Sequence, residues 1–254
     1  VNVKVKHYGP LVGILILAAL LYGYGLDWGI ASLRDFRLDG KRVSFAAANF
    51  HPDSNALERA AASLDDSIYP HIIRDGKTFL FSSYGTVFIY TYWGVVRTAG
   101  ALFGFEPFGE AAVDSDATRL TGRMISALMG LVAVWLTFCA GRLSFGRETG
   151  LLAAFLLCLM PMMIQASHMA TVDGALALGS VWICYQSIVM LKRKDLSAYL
   201  VCGVAAGITV ATKLNAVLLL AAPVIAHARR WSGDPWSTGG YGLLLDARWL
   251  RIWF

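Results

Sequence analysis

Thr86–Phe105, TVFIYTYWGVVRTAGALFGF, decides how the chain is threaded through a bilayer. About 20 consecutive apolar residues cross a hydrocarbon core, and this stretch is nearly that long. If it crosses, every later loop changes sides. Arg142 and Arg147, then Lys192, Arg193 and Lys194, move outside, and the acidic Glu106–Asp116 stretch moves inside. Cytoplasmic loops carry the excess of lysine and arginine, so the crossing reading runs against the charge. Arg97 in mid-segment, with Tyr90, Tyr92 and Trp93, suits a helix lying at the interface. Thr86–Phe105 is therefore read as a juxtamembrane helix packed on the external face.

The chain around it is mostly membrane. Hydrophobic residues make up 57% and charged residues 15%, with a mean hydropathy of +0.56, outside the usual range of soluble domains. The net charge of +5 is modest, and no basic patch with interleaved aromatics points to nucleic acid. Cys139, Cys158, Cys184 and Cys202 all lie inside apolar runs without CxxC spacing, as small hydrophobes do. Lys4, Lys6 and His7 precede an apolar stretch as in a signal peptide. That stretch lacks a small-x-small cleavage site, so it reads as a retained first helix.

Six apolar runs follow from hydropathy: Pro10–Leu26, Leu120–Ala140, Thr149–Ile164, Ala170–Leu191, Leu196–Ala211 and Leu214–Ala226. Joined as one helix, the last two would be about 50 Å long at 1.5 Å per residue. That exceeds the hydrocarbon core, so Thr212-Lys213 reads as a hairpin at one surface. Lys4/Lys6, Arg142/Arg147, Lys192–Lys194 and Arg229/Arg230 alternate with cation-poor loops. If these are cytoplasmic, the N-terminus is inside and Asp27–Thr118 is external. The expected organisation is a cytoplasmic N-terminus (1–9), a first transmembrane helix (10–26) and a long external loop with juxtamembrane helices (27–118). A five-helix transmembrane module (119–228) and a cytoplasmic or interfacial tail (229–254) complete it. The fold class is all-α, a polytopic helical membrane protein.

The external loop is where chemistry has room. In Asn49-Phe50-His51-Pro52-Asp53, an acid stands just outside the first span. Asn55-Ala-Leu-Glu58 fits a capping box, so a helix of about ten residues is expected from Asn55, with Asp53 in its extended approach. Asp53 has two readings, a helix-start cap or a carboxylate that takes a proton from an acceptor at the membrane boundary. Arg119 and Arg123, four apart, share a helix face and read as snorkelling anchors or as phosphate ligands with forked donors. Asp173 reads as a helix cap or a site acid. Lys213, between two apolar runs, must face water, headgroups or a phosphate. Lys77 reads as an exposed loop lysine, and Gly203 and Gly207 as close helix packing.

Four stretches resemble the N-terminal membrane module of the GT-C glycosyltransferases that use polyprenyl-phosphate sugars. The protein O-mannosyltransferases and the lipid A aminoarabinose transferases are nearest in pattern. Phe50-His51-Pro52-Asp53 is similar to the family's FHPDE run, and Tyr84-Gly85-Thr86 to its Tyr-Pro/Gly-Ser juxtamembrane segment. Thr118 to Gly130, leading to Gly141-Arg142-Leu143-Ser144-Phe145-Gly146, resembles R-hydrophobic-S-A-L-x-G followed by G-R-x-x-F-G. Ser167-His168-Met169-Ala170-Thr171-Val172-Asp173, with Gly203, Gly207 and Thr212-Lys213 further on, resembles S-H-x-A-x-x-D followed by G-x-x-x-G and T-K. Their order and spacing cover roughly residues 10–228.

The resemblance implies inverting transfer of a sugar from a polyprenyl-phosphate donor to an external acceptor, in a bacterial cytoplasmic membrane. Asp53 would be the general base. Arg119, Arg123 and Lys213 would neutralise the donor phosphate, and Asp173, His168 and His51 would position substrate. Family members differ in metal use, and no His/Asp/Glu cluster with dependable spacing stands out, so a divalent metal stays open. Ser54 departs from the pattern, where most relatives have Glu. That departure keeps a second reading, a catalytically silent scaffold subunit of a larger membrane complex. The implied partners are the polyprenyl-linked sugar, membrane lipids and protein subunits, and no nucleic acid.

Overall fold

A computed structural model describes residues 2–28, 30, 37–38, 41–42, 52–81, 84–109, 112–193 and 195–232. Every expected apolar run is helical. α1 is Asn2–Gly23, α4 Ala112–Phe145, α5 Arg147–Cys158, α6 Pro161–Ser167 and α7 Val172–Lys192. α8 is Leu196–Thr212, and a 3-10 helix, Leu214–Leu220, leads into α9, Ala221–Ser232. Between α1 and α4 lie α2, Pro52–Ala62, and α3, Val87–Phe103. The strands described are two antiparallel ribbons, β1 (Arg37–Leu38) with β2 (Lys41–Arg42) and β3 (His71–Arg74) with β4 (Lys77–Leu80).

Among the described residues, α4 over Ser115–Phe145 and α7 are long and apolar enough to cross a membrane. α5 and α6 make a third such span if their bent pair is taken as one, and Gly9–Gly23, Leu196–Thr212 and Leu214–Arg229 are shorter apolar helices. α4 is the spine, packing on α1, α3, α5, α6 and α7, while α7 carries α8 and α9 on its other side. One core, built from Leu11, Ala18, Tyr22, Val134, Phe138, Ala154 and Met163, joins α1, α4, α5 and α6. A second, built from Leu57, Phe81, Phe88, Ile89, Tyr92, Ile125 and Val172, fastens α2 and α3 to one end of the bundle.

Four local differences from expectation have physical causes. α2 begins at Pro52, three residues before the expected start. Proline's fixed φ suits a first helical position, and an acid in the first turn favours the positive end of the helix dipole. Asp53 therefore sits on the helix and not in its approach. The run expected over Thr149–Ile164 breaks between Cys158 and Pro161 with a bend of 62°. Pro161 has no N–H and holds Met160 extended, at φ −65° and ψ 119°. Third, α4 starts eight residues ahead of Leu120, because its charges find partners there. Fourth, Asp75-Gly76 turns a hairpin with both φ values positive, 52° and 71°, as a two-residue type I′ loop requires. Lys77 lies exposed on that hairpin.

α3 is tied by polar contacts to the segment that follows α2. Arg97 and Trp93 both reach Asp65, with Arg97 Nε 2.9 Å and Trp93 Nε1 2.8 Å from Oδ1. Tyr90 donates to the carbonyl of Ile68 at 2.5 Å. The polar groups of the helix thus point into the segment around α2. Helix α8 reverses into α9 at Lys213, whose backbone is extended, and Tyr199 near the start of α8 meets His227 of α9 at 2.8 Å.

The close approaches fall at other glycines than expected. Gly203 and Gly207 face open space, whereas a side chain on Gly179 would strike Thr209 of α8, and one on Gly141 would lie 2.8 Å from Gly150 of α5. Gly179→Val should drive α7 and α8 apart and destabilise the protein by about 2 kcal/mol, the usual scale of overpacking. Gly207→Ala should leave stability unchanged or raise it, since alanine favours helix. Melting temperatures of the two variants in detergent check the pair.

Candidate functional site

The expected site residues gather at the end of the bundle that α2 and α3 cover, and Tyr84 joins three of them. Asp53 stands in the first turn of α2. Asp173 stands in the first turn of α7. Lys213 links α8 to the 3-10 helix after it. The Tyr84 hydroxyl donates to Asp53 Oδ2 at 2.6 Å. Lys213 Nζ lies 5.4 Å from the centroid of the Tyr84 ring, within cation–π range. The same ammonium donates to Asp173 Oδ1 at 3.0 Å. The side chains of Lys213 and Asp173 are 27% and 46% exposed, open enough for a ligand to reach.

The backbone explains why these groups meet. Gly85 N donates to Thr212 O at 3.0 Å, and a Cβ at Gly85 would collide with the carbonyl of Ala211. Only glycine lets the chain lie this close to the last turn of α8. Tyr84 precedes Gly85 and Lys213 follows Thr212, so the docked backbones present ring and ammonium to each other. Burial, the hydrogen bond to Asp53, and the charges of Asp53 and Asp173 push the Tyr84 hydroxyl up to about 12. It therefore stays protonated, and a donor, through neutral pH. In the core beneath, burial foremost pushes the Tyr92 hydroxyl well above its ordinary range, with the charge of Glu58 adding to it.

The other expected residues are engaged within the protein. Arg123 is buried and its Nη1 donates to the carbonyls of Leu26 and Trp28, both at 2.7 Å. Arg119 reaches Glu58 of α2 at 3.4 Å and Asp116 at 3.8 Å. Spaced to share a face, the two arginines diverge to different partners. His168 lies with Nδ1 2.7 Å from the carbonyl of Ile164 and Nε2 2.8 Å from that of Tyr24. His51 lies outside the described residues. Ser54 is buried at 5% exposure, so this position of α2 faces protein. Among the described residues, no group of three or more His, Cys, Asp or Glu is placed to hold a metal. Tyr84 was not among the expected site residues. Its signal was the Tyr-Gly pair just ahead of an aromatic-rich helix.

The chain is similar to known proteins in sequence and in fold. The sequence profile of the family described as dolichyl-phosphate-mannose-protein mannosyltransferase matches residues 112–245. No curated protein sequence matches the chain. A crystal structure of the Archaeoglobus fulgidus oligosaccharyltransferase in the apo form superposes with a TM-score of 0.58 at 17% identity, over 88% of this chain. The chain spans about a quarter of that protein, 26% of its length. The likeness shows a shared fold, and the family match supports membership of the GT-C superfamily.

The engagement of Arg123 predicts its phenotype. Arg123→Met removes this buried guanidinium from the carbonyls of Leu26 and Trp28 and should cost about 2–4 kcal/mol in stability. A Tm equal to wild type would show that these hydrogen bonds do not hold the end of α1.

Proposed function

The chain belongs to the dolichyl-phosphate-mannose-protein mannosyltransferase family, and we propose that it carries the catalytic acid of a membrane glycosyltransferase. The reaction is transfer of a sugar from a polyprenyl-phosphate donor to an acceptor on the external face of a bacterial cytoplasmic membrane, with inversion. One observation carries this reading: a carboxylate and an ammonium share one tyrosine, Asp53 on its hydroxyl and Lys213 over its ring.

The chemistry asks for those two charges. An acceptor hydroxyl attacks the anomeric carbon while the bond from that carbon to the phosphate oxygen breaks. Asp53 takes the proton the hydroxyl loses. The electron pair of the broken bond leaves on the lipid phosphate, which needs charge stabilisation more than protonation. Lys213 supplies that positive charge. It rests on Asp173 beforehand, so an arriving phosphate exchanges one anionic partner for another, and Asp173 keeps the ammonium aimed meanwhile. Arg119 and Arg123 take the supporting role in this reading, since one grips Glu58 and the other two backbone carbonyls. His168 likewise steadies the end of α1.

A catalytically silent scaffold is the second reading, favoured by buried Ser54 where the resembling enzymes carry an acid. The two separate on one variant. Asp53→Asn should lower transfer from a polyprenyl-phosphate sugar by about 100-fold or more, in the range of general-base loss, with melting unchanged. Transfer at the wild-type rate would remove Asp53 from the chemistry. Lys213→Met should raise the donor KM about tenfold, as loss of a charge-assisted hydrogen bond does. Initial rates across donor concentrations measure it.

A further inference from the structure

Tyr84 sits at the junction of two charges that the reaction must keep apart yet near. Its hydroxyl is committed to Asp53 Oδ2 at 2.6 Å, and the face of its ring lies 5.4 Å from Lys213 Nζ. We propose that Tyr84 is a positioning residue that acts on the base through its hydroxyl and on the donor phosphate through its ring. The inference rests on the glycosyltransferase reading above and deepens it.

Two separable contacts make the case. A hydroxyl hydrogen bond to one carboxylate oxygen fixes the plane of the carboxyl group, and so the direction from which Asp53 accepts a proton. A 2.6 Å O–H···O bond to an ionised partner is of the strong, short kind. The ring does different work. Lys213 has three donors on a flexible stem, and its direct anchor here, Asp173, must let go when a phosphate arrives. The Tyr84 ring offers an attractive surface that does not compete for those donors. It keeps the ammonium in place through the exchange.

The segment is also held rigidly. Gly85 N bonds to Thr212 O, and Tyr84 lies against Phe81 with ring centroids 5.9 Å apart. The aromatic thus moves with the end of α8 and not with solvent. Base and cation therefore share one rigid mount although they come from α2 and from the turn after α8.

The two arms separate by substitution. Tyr84→Phe keeps the ring and loses the hydroxyl, and Tyr84→Leu loses both. Binding of polyprenyl phosphate without a sugar, read by thermal shift in detergent, reports on Lys213 alone. Steady-state transfer in the intact protein reports on both groups. Tyr84→Phe should lower kcat about tenfold with the polyprenyl-phosphate Kd unchanged. Tyr84→Leu should lower kcat at least as far and weaken that Kd about three- to fivefold. A Tyr84→Phe protein with wild-type kcat overturns the hydroxyl arm. Equal Kd values for the two variants overturn the ring arm. If wild type transfers sugar and both variants match it, this inference alone fails. If wild type neither binds the lipid phosphate nor transfers sugar, the donor reading fails and takes this one with it.

Discussion

Gly85 can have no side chain because the final turn of α8 occupies the place where one would stand. That exclusion, closed by the hydrogen bond from Gly85 N to Thr212 O, joins two parts of the chain more than 120 positions apart in a protein of 254 residues. Everything at the candidate site follows from the join. It sets Tyr84 beside Lys213, and Tyr84 in turn reaches Asp53 on α2. Without it, the segment that carries Tyr84 would lose its directional tie to α8, and apolar contact, being non-directional, cannot by itself aim a side chain.

The charged residues at this end divide into two populations. Arg123, Arg119 and Arg97 hold Leu26 and Trp28, Glu58, and Asp65 respectively, and each joins one segment to another. They are the framing. Lys213 and Asp173, with side chains 27% and 46% exposed, pair with each other across a span of 40 residues. Exposed pairs contribute little to stability, so this pair is inexpensive to part and suited to exchange with a ligand. Side chains of like charge thus carry different duties: Arg123 is buried on two backbone carbonyls, whereas Lys213 keeps a partly exposed carboxylate partner.

The helical architecture was legible because hydropathy and loop charge act over long segments. The helix within Thr86–Phe105 was legible too, as α3 spans Val87–Phe103. Breaks and starts were harder. Pro161 is visible in the sequence, but a proline in an apolar run can kink a helix or end it, and packing decides between them. The N-terminal turns of α4 looked like loop because Asp116 and Arg119 are charged, and only the tertiary fold supplies Glu58 as a partner. The Asp75-Gly76 hairpin was overlooked although its dipeptide is a strong turn signal, because short flanking strands give little alternation to read. At the site, sequence drew attention to Asp53, Asp173 and Lys213, each as a polar residue beside an apolar run. It could not separate Arg119 and Arg123 from them, because a shared helix face says nothing about what stands opposite.

The proline that divides α5 from α6 has an effect at a distance. In an unbroken helix the carbonyl of Leu157 would receive the amide of residue 161, and proline has none to give. Met160 N takes that place at 3.2 Å, and Tyr22 of α1 adds its hydroxyl at 3.3 Å. An apolar rod can spin in its groove at small penalty, but this one is keyed. With its azimuth set, the oxygens of Tyr24, Leu26 and Trp28 just beyond the rod point at His168 and Arg123. A break in one backbone ladder thereby helps to index the rotation of another helix.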